Sequence, residues 1–115
     1  MVVPVGGRRG EVFLVDLGLA AKVRPALALS VPADDTDRAL VTLVPHTTSL
    51  RGSRFEVPVP IRFLRPGAFN VQGLVTVPLA RMIRRLGRLN DQQLGEVVTR
   101  LCAWLGLPEP AHAGA

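Results

Sequence analysis

The sequence is poor in cysteine and in aromatic residues, because its 115 residues include one Cys, one Trp, four Phe and no Tyr. A single cysteine excludes a disulfide within the chain and offers no thiolate cluster to a metal. The few aromatic rings leave little for the base-stacking platform that general single-strand binders use. We therefore expect no metal site and no cofactor, and any nucleic-acid contact must rely on arginine, hydroxyl and backbone groups.

Long apolar runs are also missing. No stretch approaches the roughly 18 apolar residues that a membrane-spanning helix needs. Residues 1–7 are too short to form a signal peptide. These absences predict a cytoplasmic protein without a membrane partner.

Hydrophobic residues make up 48% of the chain, which suits one domain with a single modest core. We expect this domain to cover residues 1–107, with a disordered tail at 108–115. The net charge is +5, and Lys22 is the one lysine among 14 basic residues. Positive charge favours polyanionic partners, since binding to phosphates releases counterions. A bias toward arginine also follows from a GC-rich genome, so charge alone does not decide for nucleic acid.

Alternating apolar residues predict five short strands followed by two helices. The strands are expected at residues 11–17, 24–31, 40–44, 54–61 and 71–77, with a loop at 62–70. A short helix is expected at 78–86, and a final helix begins at Asn90, which forms a capping-box pattern with Gln93. Pro58 and Pro60 face one side of the fourth strand and place it at a sheet edge. The elements indicate a small antiparallel sheet or barrel with a helix packed on it.

The centre of the sequence is the stretch from Val44 to Val57. An apolar strand runs into three hydroxyl-bearing residues, Thr47, Thr48 and Ser49, and a turn at Arg51-Gly52 begins the return. Polar groups at the end of a buried strand are how a rigid scaffold presents reactive groups to solvent. Threonine and serine are also common turn formers, so on this stretch alone a structural role is the simpler interpretation.

The second predicted strand carries Arg24 on the same face as Ala26 and Ala28. Small residues beneath a guanidinium leave two alternatives open. The face is either a shallow groove that a ligand approaches or a surface packed tightly under a helix.

Three segments carry a resemblance to a known family. They read RGEVFLVDL at residues 9–17, RPALALS at 24–30 and VPHTTSLRGSRFEV at 44–57. No single motif is specific, but the ordered set resembles the MazF/PemK family of toxin endoribonucleases over residues 8–107. The resemblance implies a mainly β fold with C-terminal helices, in which a small SH3-like barrel of the CcdB/PemK/MazF-like kind carries a packed C-terminal α-helix.

The resemblance also implies a chemistry. Members of this family cut single-stranded RNA without a metal: the ribose 2′-hydroxyl attacks the adjacent phosphorus and leaves a 2′,3′-cyclic phosphate and a 5′-hydroxyl. The arginine of the RPA motif corresponds to Arg24, and the threonine that follows Pro-x corresponds to Thr47, so these are the expected catalytic residues. The candidate RNA-binding residues around them are Lys22, His46, Thr48, Ser49 and Arg51.

His46 allows two interpretations. A histidine beside Thr47 could serve as a proton shuttle near neutral pH, and histidine is not expected at this position in the family. Strand alternation instead turns the ring away from Thr47, and this second interpretation is the simpler one.

Relatives imply a homodimer that binds single-stranded RNA and a cognate acidic antitoxin, with DNA reached only through the antitoxin complex. The loop at 18–23 is shorter than usual in the family, and polar family positions hold Gly73, Val75 and Pro78. These departures leave two alternatives to a sequence-specific RNA-cleaving toxin. One is a non-enzymatic toxin of the same fold that binds a protein such as gyrase. The other is a catalytically silent relative.

Overall fold

The computed structural model describes residues 7–18 and 22–110. The strands formed by these residues are β1 (Glu11–Asp16), β2 (Val23–Ala28), β3 (Leu40–Thr47), β4 (Glu56–Val57), β5 (Ala68–Asn70), β6 (Val75–Pro78) and β7 (Met82–Arg88). One α-helix, α1 (Asp91–Leu105), follows, and 3₁₀ turns at Val71–Gly73 and Leu79–Arg81 precede β6 and β7. Residues 19–21 of the predicted loop and 111–115 of the predicted tail lie outside the described residues.

The paired strands run antiparallel in the order β4–β5–β3–β2–β1–β7, with β3 at the centre. One edge of β3 pairs with β2, while the other pairs with β6 along its first half and with β5 at its end. β4 lies at an edge of the sheet, as Pro58 and Pro60 predict, because prolines have no N–H group with which to extend the pairing. For the same reason the strand predicted at 54–61 is reduced to Glu56–Val57.

Two apolar clusters lie on opposite faces of the sheet. The larger one packs Leu27 and Val44 against Val97 of α1. The smaller one contains Ala26 and Ala28, both 0% exposed, and its buried members all come from strands. Around Ala26 and Ala28 this face is therefore filled by apolar side chains, so these small residues neither floor a groove nor lie beneath α1.

The prediction of a helix at 78–86 is wrong. Most of this segment is β7, which pairs with β1 along one edge of the sheet. Its apolar residues do follow a helical spacing, but pairing with the open edge of β1 satisfies the backbone and places the Arg85 guanidinium 2.6 Å from the Glu11 carboxylate. Tertiary pairing overrides the local pattern here.

Several strand boundaries also differ from the prediction. β3 continues through Thr47, three residues beyond its expected end, and β2 ends at Ala28. β5 lies in the predicted loop, and the next residues form a 3₁₀ turn because the Asn70 side chain accepts a hydrogen bond from the Gln72 N–H at 3.2 Å. Short elements closed by a side-chain cap leave little periodicity in a sequence.

The final helix agrees with its predicted signals. The Gln93 N–H donates to the Asn90 side chain at 2.8 Å, and the Asn90 N–H donates to the Gln93 side chain at 2.9 Å. Gly106 ends the helix with φ 70°. Trp104 is 43% exposed, and its ring lies 5.2 Å from that of Phe55. No helix among the described residues is long and apolar enough to cross a membrane.

Candidate active site

Arg24 and Thr47 come from neighbouring strands that pair in register. Ala26 of β2 lies opposite Pro45 of β3, so two residues further along the antiparallel ladder Arg24 reaches the level of Thr47. Both residues share the face of the sheet that carries Ala26, by the period of two. The fold thus brings together the two residues that the sequence suggested for catalysis.

The Thr47 hydroxyl is held in a defined orientation. Its oxygen accepts a hydrogen bond from the Ser49 N–H at 3.0 Å, which forms a small side-chain turn at the end of β3. Thr47 therefore does form a turn, which is the structural role that the sequence analysis allowed for it. Because the oxygen serves as the acceptor, the hydroxyl hydrogen can still be donated to a ligand.

Two open cavities meet at this point, and the residues Arg24, Thr47 and Ser49 line both. We call these three residues the ridge. The smaller cavity, of about 340 Å³, has a polar wall that includes Asn70 and Gln72, and we call it the polar cavity. The larger one, of about 760 Å³, combines apolar side chains with a cationic rim, and we call it the wide cavity. Both volumes lie in the range of small-molecule binding sites.

The other exposed RNA-binding candidates are divided between the cavities. Arg51 lines the polar cavity, while Lys22 and Thr48 line the wide cavity. Two further exposed cations, Arg65 and Arg84, also line the wide cavity. Sequence reasoning did not assign these two to the site. Arg84 lies in the segment wrongly predicted as a helix, and no motif marks the loop that carries Arg65.

The loop after the ridge is fixed by Glu56. Its carboxylate accepts backbone N–H groups from Arg51 at 3.0 Å, Gly52 at 2.8 Å and Ser53 at 2.9 Å. The Arg51 N–H, followed by the other two, holds the pKa of the Glu56 carboxyl below its ordinary value. The sequence analysis did not assign Glu56 to the site. The signal that could have found it is a carboxylate shortly after an Arg-Gly-Ser turn, where unpaired N–H groups gather.

His46 lies on the other face of β3. The residue is 4% exposed, its ring meets that of Phe69 edge-on with centroids 5.1 Å apart, and its Nε2 atom has no hydrogen-bond partner among the described residues. The imidazole forms part of the wall of the wide cavity but presents almost no surface to it. Of the two interpretations of His46, the structure agrees with the second, in which strand alternation turns the ring away from Thr47. Burial lowers the pKa of His46 below its ordinary value of 6.5.

The lowered pKa of His46 predicts a pH-dependent stability. Between its unfolded and folded pKa values only the unfolded chain binds the proton, so the free energy of unfolding falls as pH drops below 6.5. The slope for one proton approaches about 1.4 kcal/mol per pH unit. Urea unfolding between roughly pH 5 and 7 should show this fall below pH 6.5 in the wild type and a smaller fall in His46→Leu. An equal slope in both proteins would mean that His46 does not titrate with folding.

Comparison with known proteins connects this geometry to a family. Residues 8–105 match the family profile of the PemK-like, MazF-like toxins of type II toxin–antitoxin systems. The chain belongs to this toxin family. The resemblance of the three ordered segments is thereby confirmed.

Individual relatives of this toxin cover most of its length. The probable endoribonuclease MazF5 of Mycobacterium tuberculosis is 31% identical over 100 residues, which span 81% of this chain and 87% of that protein. The structure of a mycobacterial endoribonuclease in complex with its cognate antitoxin is 29% identical, with a TM-score of 0.76 over 91% of this chain and 100% of that one. A MazE–MazF structure from Deinococcus radiodurans, at 24% identity and a TM-score of 0.75 over 90% and 98% of the two chains, shares the fold. The predicted fold class is confirmed.

Three of the expected departures from the family pattern, at Gly73, Val75 and Pro78, lie in or next to β6. A Cβ atom at Gly73 would come within 2.9 Å of the Pro45 ring, so the site accepts no larger side chain without movement. Val75 packs against the smaller apolar cluster, and Pro78 ends β6 opposite the start of β3. Of these three positions, Gly73 adjoins the polar cavity, next to Gln72.

Gly67 is a further position that sequence reasoning did not assign to the site. A Cβ atom there would collide with the Thr47 carbonyl oxygen and would lie 2.8 Å from Cε1 of His46. The absence of a side chain thus lets the loop before β5 lie directly on the end of β3. Within the described part of the chain, no cluster of three or more His, Cys, Asp or Glu residues is placed to hold a metal ion.

Proposed function

We propose that this toxin is an endoribonuclease that cleaves single-stranded RNA at the ridge, with Arg24 and Thr47 as catalytic residues and without a metal. The observation that carries the proposal is the convergence of Arg24 and Thr47 on the wall that the two cavities share. Two relatives that cover most of the chain are endoribonucleases by name, which supports the same reaction class. Sequence specificity is part of the proposal, because each cavity offers distinct chemistry to a base.

The proposed reaction is a transesterification within the RNA. The 2′-oxygen of the ribose attacks the adjacent phosphorus, the bond from phosphorus to the 5′-oxygen breaks, and a 2′,3′-cyclic phosphate forms. One proton leaves the 2′-hydroxyl, and one proton joins the departing 5′-oxygen. The phosphoryl oxygens gain negative charge between these events, so a fixed cation beside them lowers the barrier.

Arg24 and Thr47 suit different parts of this reaction. A guanidinium keeps its charge and can donate two parallel hydrogen bonds to phosphoryl oxygens. A threonine hydroxyl can donate one more, and the Ser49 N–H already fixes the position of the Thr47 oxygen. Neither group is a strong base near neutral pH. The proposed rate enhancement therefore comes mainly from electrostatic stabilisation and from holding the 2′-oxygen in line with the leaving oxygen.

The proposed partners follow from charge and from family membership. The net charge is +5, and the wide cavity carries exposed cations at Lys22, Arg65 and Arg84. A small acidic antitoxin with a flexible segment would compete with RNA for such a surface. We also expect the toxin to act as a homodimer in the cytoplasm and to meet DNA only through its antitoxin.

Thr47→Ala is expected to slow RNA cleavage about 100-fold, because one donor to the phosphoryl group is lost. Thr47→Ser should recover much of the rate, since serine keeps the hydroxyl. The measurement is the single-turnover rate on a mixed-sequence single-stranded RNA. Thr42→Ala is the matched control on the same strand, because Thr42 bonds Thr76 at 2.7 Å and lines neither cavity. A wild-type rate in Thr47→Ala would move the active site away from the ridge.

A further inference from the structure

The two cavities that share the ridge differ in chemistry. The residues that line the polar cavity are polar apart from Pro45, and they include Asn70, Gln72 and Ser53. The wide cavity contains Phe63 and Leu86 beneath its cationic rim. A strand of RNA with its cut phosphate on the ridge must send the nucleotide before the phosphate to one side and the nucleotide after it to the other. Each cavity would then receive one of the two nucleotides.

Three polar side chains that line the polar cavity already have intramolecular hydrogen bonds. The Asn70 side chain accepts from the Gln72 N–H, and the Ser53 hydroxyl accepts from the Phe55 N–H at 3.0 Å. Glu56 accepts the three loop N–H groups described above. Gln72, by contrast, is exposed, and its side-chain amide has no hydrogen bond to another described residue. A side-chain amide both donates and accepts, which suits the edge of a nucleobase.

In the wide cavity, Phe63 offers the aromatic surface. It packs on the larger apolar cluster. A Cβ atom at Gly87 would collide with its ring, so the ring lies directly on the bare backbone of β7. A ring held in this way is a preformed surface for a base, and the exposed Lys22, Arg65 and Arg84 around it can meet backbone phosphates.

We propose that the ridge separates two nucleotide pockets: the polar cavity reads the base on one side of the cut phosphate through Gln72, and the wide cavity binds the base on the other side against Phe63. This assignment rests on the proposed ribonuclease function, and it adds the residues that set the cleavage sequence. It also gives Gly73 a role. Since a side chain at this position would press on Pro45, the base partner in the polar cavity is the neighbouring Gln72.

The test is a digest of a randomised single-stranded RNA library, with sequencing of the fragment ends to give base frequencies on both sides of each cut. On one side of the cut, Gln72→Ala should reduce the ratio of cleavage frequencies between the most and the least preferred base about ten-fold. The base frequencies on the other side should stay unchanged. Phe63→Leu should lower the overall rate about ten-fold and change the preference on the opposite side, while Phe63→Tyr restores both. Gln92→Ala, an exposed glutamine on α1 outside both cavities, should behave as the wild type.

Binding of the same variants to a panel of short single-stranded RNAs with 2′-deoxy sugars gives a second readout that needs no cleavage. Loss of base discrimination in Gln72→Ala supports the assignment in either assay. If the wild type cuts RNA and both variants keep its base frequencies and affinities, the pocket assignment is wrong and the ribonuclease stands. If the variants change the same side of the cut, the ridge does not separate two pockets. If the wild type neither cuts nor binds RNA, the proposed function fails and this assignment fails with it.

Discussion

Arg24→Ala is expected to slow RNA cleavage about a thousand-fold, because it removes the one charge of the ridge from the reacting phosphate. Loss of a single preorganised donor already lowers rates about 10²- to 10³-fold in other enzymes, and here the donor is a full charge with two parallel N–H groups. The side chain is half-buried at the start of β2, where the surrounding protein limits screening by water. Arg24→Lys should give an intermediate rate, since lysine keeps the charge but loses the planar fork.

The matched control for this substitution is Arg38→Ala. Arg38 is exposed and precedes the start of β3, whereas the ridge lies at the end of that strand, so the control removes one positive charge at a distance from the cavities. Single-turnover rates and thermal unfolding should be measured for both variants. The expected pattern is two folded proteins, of which Arg38→Ala alone is active. Full activity in Arg24→Ala would show that the ridge does not stabilise the reacting phosphate.

A 2′-deoxy sugar on the 5′ side of the cut bond is expected to abolish cleavage at that bond. In the proposed reaction the 2′-oxygen is the nucleophile, and its removal leaves the phosphate with no group to attack it. Cleavage at unmodified sites in the same strand should continue and serves as the internal control. The deoxy strand should still compete with unmodified RNA for binding, because the phosphate contacts of Arg24 and Thr47 remain.

This substitution also separates the proposed reaction from two alternatives. A nuclease that activates water would cut the deoxy strand, since the 2′-hydroxyl has no part in its chemistry. A protein of the same fold that binds RNA without cutting would leave both strands intact and bind both. Cleavage of the deoxy bond at the normal rate would contradict the intramolecular attack.

Much of the fold could be predicted from local sequence signals. The capping pair Asn90 and Gln93 specifies the start of α1, and Pro58 and Pro60 specify the edge position of β4, because each signal is a property of a few neighbouring residues. β7 could not be predicted in this way. Its apolar residues fit a helix locally, and its strand conformation depends on pairing with β1, which lies far away in the sequence.

The candidate site divides in a similar way. Arg24 and Thr47 could be suggested by the order of three short segments, but their common face and level depend on the register between β2 and β3, which no local pattern reports. The supporting residues were missed for a physical reason. Glu56 acts on backbone N–H groups, and Gly67 acts by having no side chain, so neither belongs to a motif of reactive groups.

The most direct test of the account is a digest of mixed-sequence single-stranded RNA in the presence of EDTA, with analysis of the chemical ends of the products. We expect cuts at recurring sequences that leave 2′,3′-cyclic phosphate and 5′-hydroxyl ends, and no such cuts by Arg24→Ala. Intact RNA after incubation with folded wild-type protein would contradict it, and so would products that carry 5′-phosphate ends.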